Sequence, residues 1–316
     1  MKIAILGGGG FIGSAIADRL LRDRHAIRIF ERPRVEPYRR FADHERVEWL
    51  TGDFMSAQDV NLSIEGVDVV IHLVSTTLPG SSNHDMVYDV KTNLVATLQL
   101  LDAMVARGVR KIVFISSGGT VYGKSRYLPI DESHPTDPLV SYGITKLAIE
   151  KYLLLSQHLH GNKVVILRVA NPFGQRQRVE TGQGAVAAFL GKAMRGEPVE
   201  IWGDGSVMRD YIYVRDVAEA FARAVEYEGE QSVFNISTGV GTSLNELADR
   251  VERVLGRQVL RHYRPGRSFD VMQNVLDNSR ARQELRWEPL VGLDEGLALT
   301  AGLERDPIGL GREGRV

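Results

Sequence analysis

Ile3 to Leu6 is a short apolar run closed by Gly7 to Gly10, the pattern of a strand buried on both faces of a sheet. Phe11, Ile12, Ala15, Ile16, Leu20 and Leu21 then recur at helical spacing, which predicts a helix with one apolar face turned to a core. The alternation continues. Ile27 to Phe30, Val47 to Leu50, Val67 to Leu73, Lys111 to Ile115 and Val164 to Leu167 read as strands, with helices over 94–105 and 144–159. Such regular βα units predict a Rossmann-type α/β fold, a doubly wound parallel sheet with right-handed crossovers and helices on both faces.

After Pro172 the pattern loosens into shorter strands at Val199 to Trp202 and Tyr211 to Val214, with helices near Val217 to Tyr227 and Leu244 to Leu255. The change predicts a Rossmann domain over 1–175, to which some later segments return, and a smaller mixed α/β lobe over 176–306. Residues 307–316 carry Gly and Arg without periodicity and are expected to form a flexible tail.

Composition removes several classes of function. Lys and Arg total 39 against 40 Asp and Glu, a net charge of -1, so there is no basic field for nucleic acid or an anionic membrane. The absence of Cys excludes disulfides, thiolate nucleophiles and zinc ribbons and fits a reducing cytoplasm. No apolar run reaches the length of a membrane span or of a secretory signal, so a cytoplasmic chain is expected. His158 and His160 lie two apart on a predicted helix and face different directions, so no metal site is expected.

Gly7, Gly10 and Gly13 form G-x-x-G-x-x-G between the first strand and the first helix. Without Cβ atoms such a turn admits positive φ and close approach of a pyrophosphate, and the helix N-terminus points its N–H groups at the anion. Glu31, at the end of the second strand, can bind the adenosine ribose hydroxyls, favouring NAD over NADP, although Arg32 and Arg34 follow directly. Asp53 could accept from the adenine amino group or cap a helix. Tyr142 and Lys146, four residues apart on a predicted helix, share one face about 6 Å apart at Cβ. A phenol titrates near 10 in water, and a neighbouring cation and an oxidised nicotinamide favour phenolate.

These features come in order with Ser116 to Gly123 (SSGGTVYG), Arg168-x-x-Asn171-Pro172 and Arg209-Asp210-Tyr211-Ile212-Tyr213-Val214-x-Asp216. Together they resemble the extended short-chain dehydrogenase/reductases, most closely the NAD-dependent nucleotide-sugar epimerases of the UDP-galactose 4-epimerase group, over nearly the whole chain to about Trp287. The resemblance implies NAD as cofactor and a nucleotide-linked, UDP-type sugar as substrate, with inversion at C4 through a 4-keto sugar. Tyr142 would be the base and Lys146 its partner and a ribose ligand. Asn93 would lie behind the lysine, and Phe11, Ile12, Phe54, Leu73, Val74, Ser75 and Ala170 would lie along the cofactor. Asn171 would touch the sugar nucleotide, and in the smaller lobe, implied to bind substrate, Arg209 and Arg267 would hold the diphosphate and Asp270 the uridine ribose. Trp202 could stack on uracil or fill core space. Asn274, where the family can carry a bulky Tyr, would leave room for an N-acetyl group. The resemblance also implies a homodimer, formed through helices 94–105 and 144–159.

The chain departs from the family where the usual Ser or Thr of the catalytic triad is Gly118. Ser117, assisted by Thr120, is the preferred source of that hydroxyl; otherwise Tyr142 and Lys146 act as a dyad. A dehydratase of the same family would carry an Asp-Glu pair where this chain has Gly119 and Thr120, so it would lack its acid and base. A net oxidoreductase that exchanges its cofactor stays open, and a non-catalytic NAD(H) sensor would not need the Tyr142/Lys146 pair.

Overall fold

The computed structural model describes residues 1–177, 184–266 and 271–303. Six parallel strands come from the first half: β1 (Lys2–Leu6), β2 (Ala26–Glu31), β3 (Val47–Thr51), β4 (Val69–His72), β5 (Lys111–Ser117) and β6 (Lys163–Val169). Next come β7 (Asn171–Phe173), β8 (Val199–Trp202) and β9 (Met208–Tyr213), after which β10 (Val233–Ile236) returns to pair with β6. The resulting sheet has seven strands in the order β10-β6-β5-β4-β1-β2-β3. The chain runs outward from β1 through β2 to β3, then crosses back to place β4 on the other side of β1. Such a reversal leaves a crevice at the carboxyl ends of the two strands, where doubly wound sheets bind ligands.

Side-chain alternation divides the core. Ile3 and Ile5 of β1 enter one buried cluster, with Ile16 and Leu20 of α1 (Phe11–Arg22). Ala4 and Leu6 enter the other, as the period of two along a strand requires. Helices α2 (Ala57–Ser63), α4 (Ala96–Arg107) and α5 (Ser141–His160) lie on that second face, contributing Val60, Leu100, Met104, Ile149 and Leu153. A short α3 (Met86–Asp89) runs into α4 through a π-helical turn, Val90–Val95.

The less regular lobe is built on β9, which pairs with β7, with β11 (Gly241–Ser243) and with β13 (Gln273–Asn274), while β8 pairs with β12 (Arg261–Arg264). Its core joins Phe173, Phe189, Leu190, Ile201, Tyr211 and Leu247, drawn in part from α6 (Ala185–Arg195) and α8 (Leu244–Leu255). Between these helices α7 (Val214–Glu226) packs on the α1 face of the main sheet through Val217 and Phe221, and α9 (Ser279–Glu284) and α10 (Leu293–Ala301) close the described chain. The strand expected at Tyr211 to Val214 begins earlier, at Met208, and Val214 already opens α7. One buried run there serves both elements without a linker, which periodicity cannot divide. No helix among the described residues is long and apolar enough to cross a membrane. The predicted tail at 307–316 lies outside the described residues.

Candidate active site

The glycine turn sits at the β1/β4 crevice. Gly7 has φ +85°, and the main chain of Leu73 and Val74 passes 3.4–3.5 Å from where its Cβ would be. A Cβ on Gly13 would strike Gly7 O at 2.3 Å and Gly8 Cα at 2.7 Å, so this glycine lets α1 pack against the turn. Gly10 is different. Its φ of -77° suits any residue, and a Cβ there would meet only Gly7 O, at 3.4 Å. Neither backbone nor packing demands that glycine; open space lies in front of it. Behind that space is the N-terminus of α1, at Phe11 and Ile12, with no side-chain cap and no acidic residue in its first turn, an anion-binding arrangement. Glu31 accepts from Gly9 N at 3.2 Å and from Arg32 N at 3.0 Å, which fixes its carboxylate at the lip of the turn. Asp53 is not the cap of α2, which is Ser56. It accepts from Met55 N at 2.9 Å in an exposed turn, while Phe54 is buried against the His72 ring, 5.0 Å between centroids. Ala170 is buried at the end of β6, its N–H bonded to Ile236 O. The uncapped turn and the acidic lip suit the diphosphate and ribose of NAD.

Tyr142 and Lys146 occupy the first turns of α5. Ser82 Oγ accepts from Tyr142 N at 3.0 Å and Asn83 Oδ1 from Ser141 N at 2.8 Å, so a distant loop caps this helix. A Cβ on Gly143 would lie 2.9 Å from both Thr120 O and Pro138 Cβ, so this glycine lets α5 press on the turn after β5. Lys146 Nζ donates to Ile115 O at 3.1 Å and lies 5.7 Å from the Tyr142 ring centre. Burial pulls Lys146 down to about 8, with Asp89 and Glu150 opposing. Burial pushes the Tyr142 phenol up to about 12, Asp89 adds to this, and the Ser75 hydroxyl opposes it. The expected pull of the lysine toward phenolate is therefore not what governs the phenol here: desolvation and a carboxylate outweigh it.

That carboxylate escaped the sequence analysis. Asp89 is fully buried and accepts from Thr77 Oγ1 and Asn93 Nδ2 on one oxygen and from Ser141 Oγ and Thr145 Oγ1 on the other. Asn93, in the π-helical turn, also accepts from Thr76 N at 3.0 Å, holding the loop that carries Ser75. Asn93 thus clamps the loop after β4 to the π-helical turn.

Across the crevice, a Cβ on Gly118 would lie 2.3 Å from Leu276 Cδ1, so a leucine fills the place of the family hydroxyl. Thr120 Oγ1 is buried without a partner among the described residues. Ser117 is half-buried, and a Cβ on Gly119 would lie 3.9 Å from Ser117 Oγ and 4.0 Å from Asn171 Oδ1, so both side chains border one space. Asn171 Nδ2 donates to Asp210 O at 3.1 Å. Asn274 is 1% exposed, and its Nδ2 donates to Gly118 O at 3.0 Å, which ties β13 to the turn after β5. Arg209 donates to Met208 O and Val271 O; Arg267 and Asp270 lie outside the described residues. Trp202 is half-buried at the end of β8, in register with Arg264. Among the described residues no group of three His, Asp or Glu side chains is placed to hold a metal ion.

The family model that matches residues 3–237 is that of the NAD dependent epimerase/dehydratase family. A UDP-glucose 4-epimerase of Mycolicibacterium smegmatis is 35% identical over 310 residues, 97% of this chain and 99% of the relative. The structure of a Thermotoga maritima UDP-glucose 4-epimerase with UDP-glucose superposes with a TM-score of 0.90 at 34% identity, covering 96% of this chain and 98% of the other. A UDP-N-acetylglucosamine 4-epimerase of Methanobrevibacter ruminantium, in complex with UDP-N-acetylmuramic acid, reaches 0.87 at 27% identity, covering 95% and 97%. With the dinucleotide turn, the Tyr142/Lys146 helix and a family match over most of its length, this chain belongs to the NAD-dependent epimerase/dehydratase family.

Proposed function

We propose that the protein inverts C4 of a UDP-linked hexose, N-acetylhexosamines included, by removing and returning the hydrogen at that carbon through a 4-keto sugar. The observation that carries the reading is that the Gly10 turn follows β1 while Ser117 ends β5, with the Tyr142/Lys146 turn of α5 packed on the end of β5, all at the carboxyl ends of the central strands. NAD, when bound, supplies the transient oxidation and reduction of the sugar carbon. Tyr142 takes the C4 hydroxyl proton and gives it back; its raised affinity for that proton serves the return step. Ser117, rather than the enclosed Thr120, is the hydroxyl a substrate can reach, and it orients the reacting oxygen. Asn171 borders the sugar, and Arg209, with Arg267 from the adjoining segment, meets the diphosphate, for which guanidinium forks are suited. Retention of the keto-sugar is what separates this cycle from a net oxidoreductase.

Asn274 supports acceptance of the N-acetyl group. It is smaller than Tyr, and its amide nitrogen is committed to Gly118 O while Oδ1 has no partner among the described residues. The test begins with identification of the nucleotide released on denaturation, expected to be NAD. kcat/KM for UDP-GlcNAc and UDP-glucose is then compared in the parent and in Asn274→Tyr. The substitution should penalise the acetamido sugar alone. Equal effects on both sugars, or none, would remove residue 274 from the pocket, and stoichiometric release of reduced cofactor would make the enzyme a net oxidoreductase.

A second copy of the chain is the proposed partner, in a cytoplasmic setting. Ile144, Tyr152, Leu155 and Leu159 of α5 are 55%, 42%, 46% and 61% exposed and lie within one stripe of the helix. Val95, before α4, and Val105, in its last turn, are exposed apolar residues of the neighbouring helix, and an isolated chain would leave them and the α5 stripe in water.

A further inference from the structure

We infer that Asp89 is a positioning residue for this reaction: it locks the start of α5 to the loop carrying Ser75 and places one unpaired negative charge beside Tyr142 and Lys146. The inference rests on the reading of Tyr142 as the proton acceptor.

The two oxygens of Asp89 divide their work. Oδ1 receives Thr77 Oγ1 at 2.5 Å and Asn93 Nδ2 at 2.8 Å, both from the β4 side; Oδ2 receives Ser141 Oγ at 2.6 Å and Thr145 Oγ1 at 2.9 Å, from α5. Ser141 and Thr145 directly precede Tyr142 and Lys146, so the carboxylate grips the helix at the residue before each reacting group. Every donor is neutral, and no cation forms an ion pair with Asp89 among the described residues. Burying a carboxylate without a cation is costly, and an amide has only one oxygen with which to bridge the two segments. What the acid adds over an amide is its charge and its second acceptor.

The surrounding groups leave that charge in command. Glu150, one turn beyond Lys146, is bound to Arg168 of β6 at 2.6 Å. His72 of β4 is held neutral by burial, pulled down to about 3, and contacts Thr97. His84 and Asp85, before α3, are exposed. After burial, Asp89 raises the proton affinity of Tyr142, and with Glu150 it raises that of Lys146, whose own ammonium lies 5.7 Å from the Tyr142 ring centre. A group that must deliver a proton back to the sugar is served by that bias, and one that must first accept it is limited by it.

The test uses the intact enzyme with its bound cofactor and the variants Asp89→Asn and Thr145→Val. Tyrosinate absorbance is titrated in each, with the matching Tyr142→Phe variant subtracted to isolate Tyr142, and kcat is followed against pH. Asp89→Asn removes the charge, so the Tyr142 midpoint should fall by about one pH unit, and the acid limb of the kcat profile should move with it. Thr145→Val leaves the charge but removes one of its donors, so the midpoint should rise. An unmoved midpoint in Asp89→Asn, or shifts of the same sign in both variants, overturns the inference and leaves Asp89 a structural brace, which would change stability alone. If Asp89→Asn does not fold, the sign of the Thr145→Val shift decides. Parental turnover in Tyr142→Phe would instead strike the reading of Tyr142 as base, since the titration reports the influence of Asp89 whether or not the phenol is catalytic.

Discussion

Gly118 stands where related enzymes carry a triad hydroxyl, and restoring it there should be resisted by a single side chain. The ideal Cβ at Gly118 lies 2.3 Å from Leu276 Cδ1 and 3.1 Å from Arg168 O, so Leu276 must retreat by about 1 Å to reach ordinary contact near 3.4 Å. Leu276 is fully buried in the core cluster beneath the crevice, with little room to move. Gly118→Ser alone should therefore cost about 1–3 kcal/mol, the usual range for overpacking. Leu276→Ala alone should cost about 2–5 kcal/mol through lost burial and a cavity. In the double variant the serine occupies part of that cavity, and the combined loss should fall below the sum by about 0.5–3 kcal/mol, as expected of residues in contact. Urea unfolding of the four proteins measures the cycle, provided the denaturant slopes agree. Strict additivity would mean that Leu276 does not hold the space of the missing hydroxyl. A Gly118→Ser protein as stable as the parent would be equally damaging.

His72 predicts a pH dependence of stability. It stays neutral down to about 3 in the folded protein because of burial, with Lys146 second, but titrates near 6.5 when unfolded, so the unfolded chain takes up the extra proton and stability drops as pH falls below 6.5. At pH 5 the loss is about 2 kcal/mol relative to neutral pH. Asp216 works with the opposite sign, since burial raises its folded value to about 6 and its contribution is lost as pH rises through that value. His72→Gln should flatten the acid slope, and a slope identical to the parent's would refute the assignment. For the proposed dimer, Leu155→Arg on the exposed stripe should shift the sedimentation coefficient from dimer to monomer; unchanged sedimentation would place the contact elsewhere.

The main sheet was legible because its central strands are buried on both faces and its helices carry apolar faces, so each element has its own pattern. β1, β2, β3 and β5 match their apolar runs within a residue or two. α6 and β10 did not stand out. Val233–Ile236 is a short buried run within a polar stretch, and its place beside β6 depends on a partner found only in the folded chain. The Arg168-Glu150 pair was likewise hidden, because two buried charges become intelligible only when they meet.

The site divides in the same way. Gly7, Gly13, Tyr142 and Lys146 could be read from sequence because their spacing is imposed within one βα turn or one helix, and Glu31 because it ends the next strand of the same unit. Asp89, Ser82 and Asn83 could not, since they act on α5 across more than fifty residues of chain and none belongs to a spaced motif. Gly118 shows the limit most clearly. As a letter it signifies a hydroxyl that is missing; in the fold it is the contact surface for Leu276, and its carbonyl is the acceptor for Asn274. The contact with Leu276 and the bond from Asn274 are therefore two sides of one packing arrangement. A substitution at 118 should move Asn274, so, on the role proposed for that residue, the ratio of kcat/KM for acetamido and hydroxyl sugars is expected to change, and an unchanged ratio would count against that role.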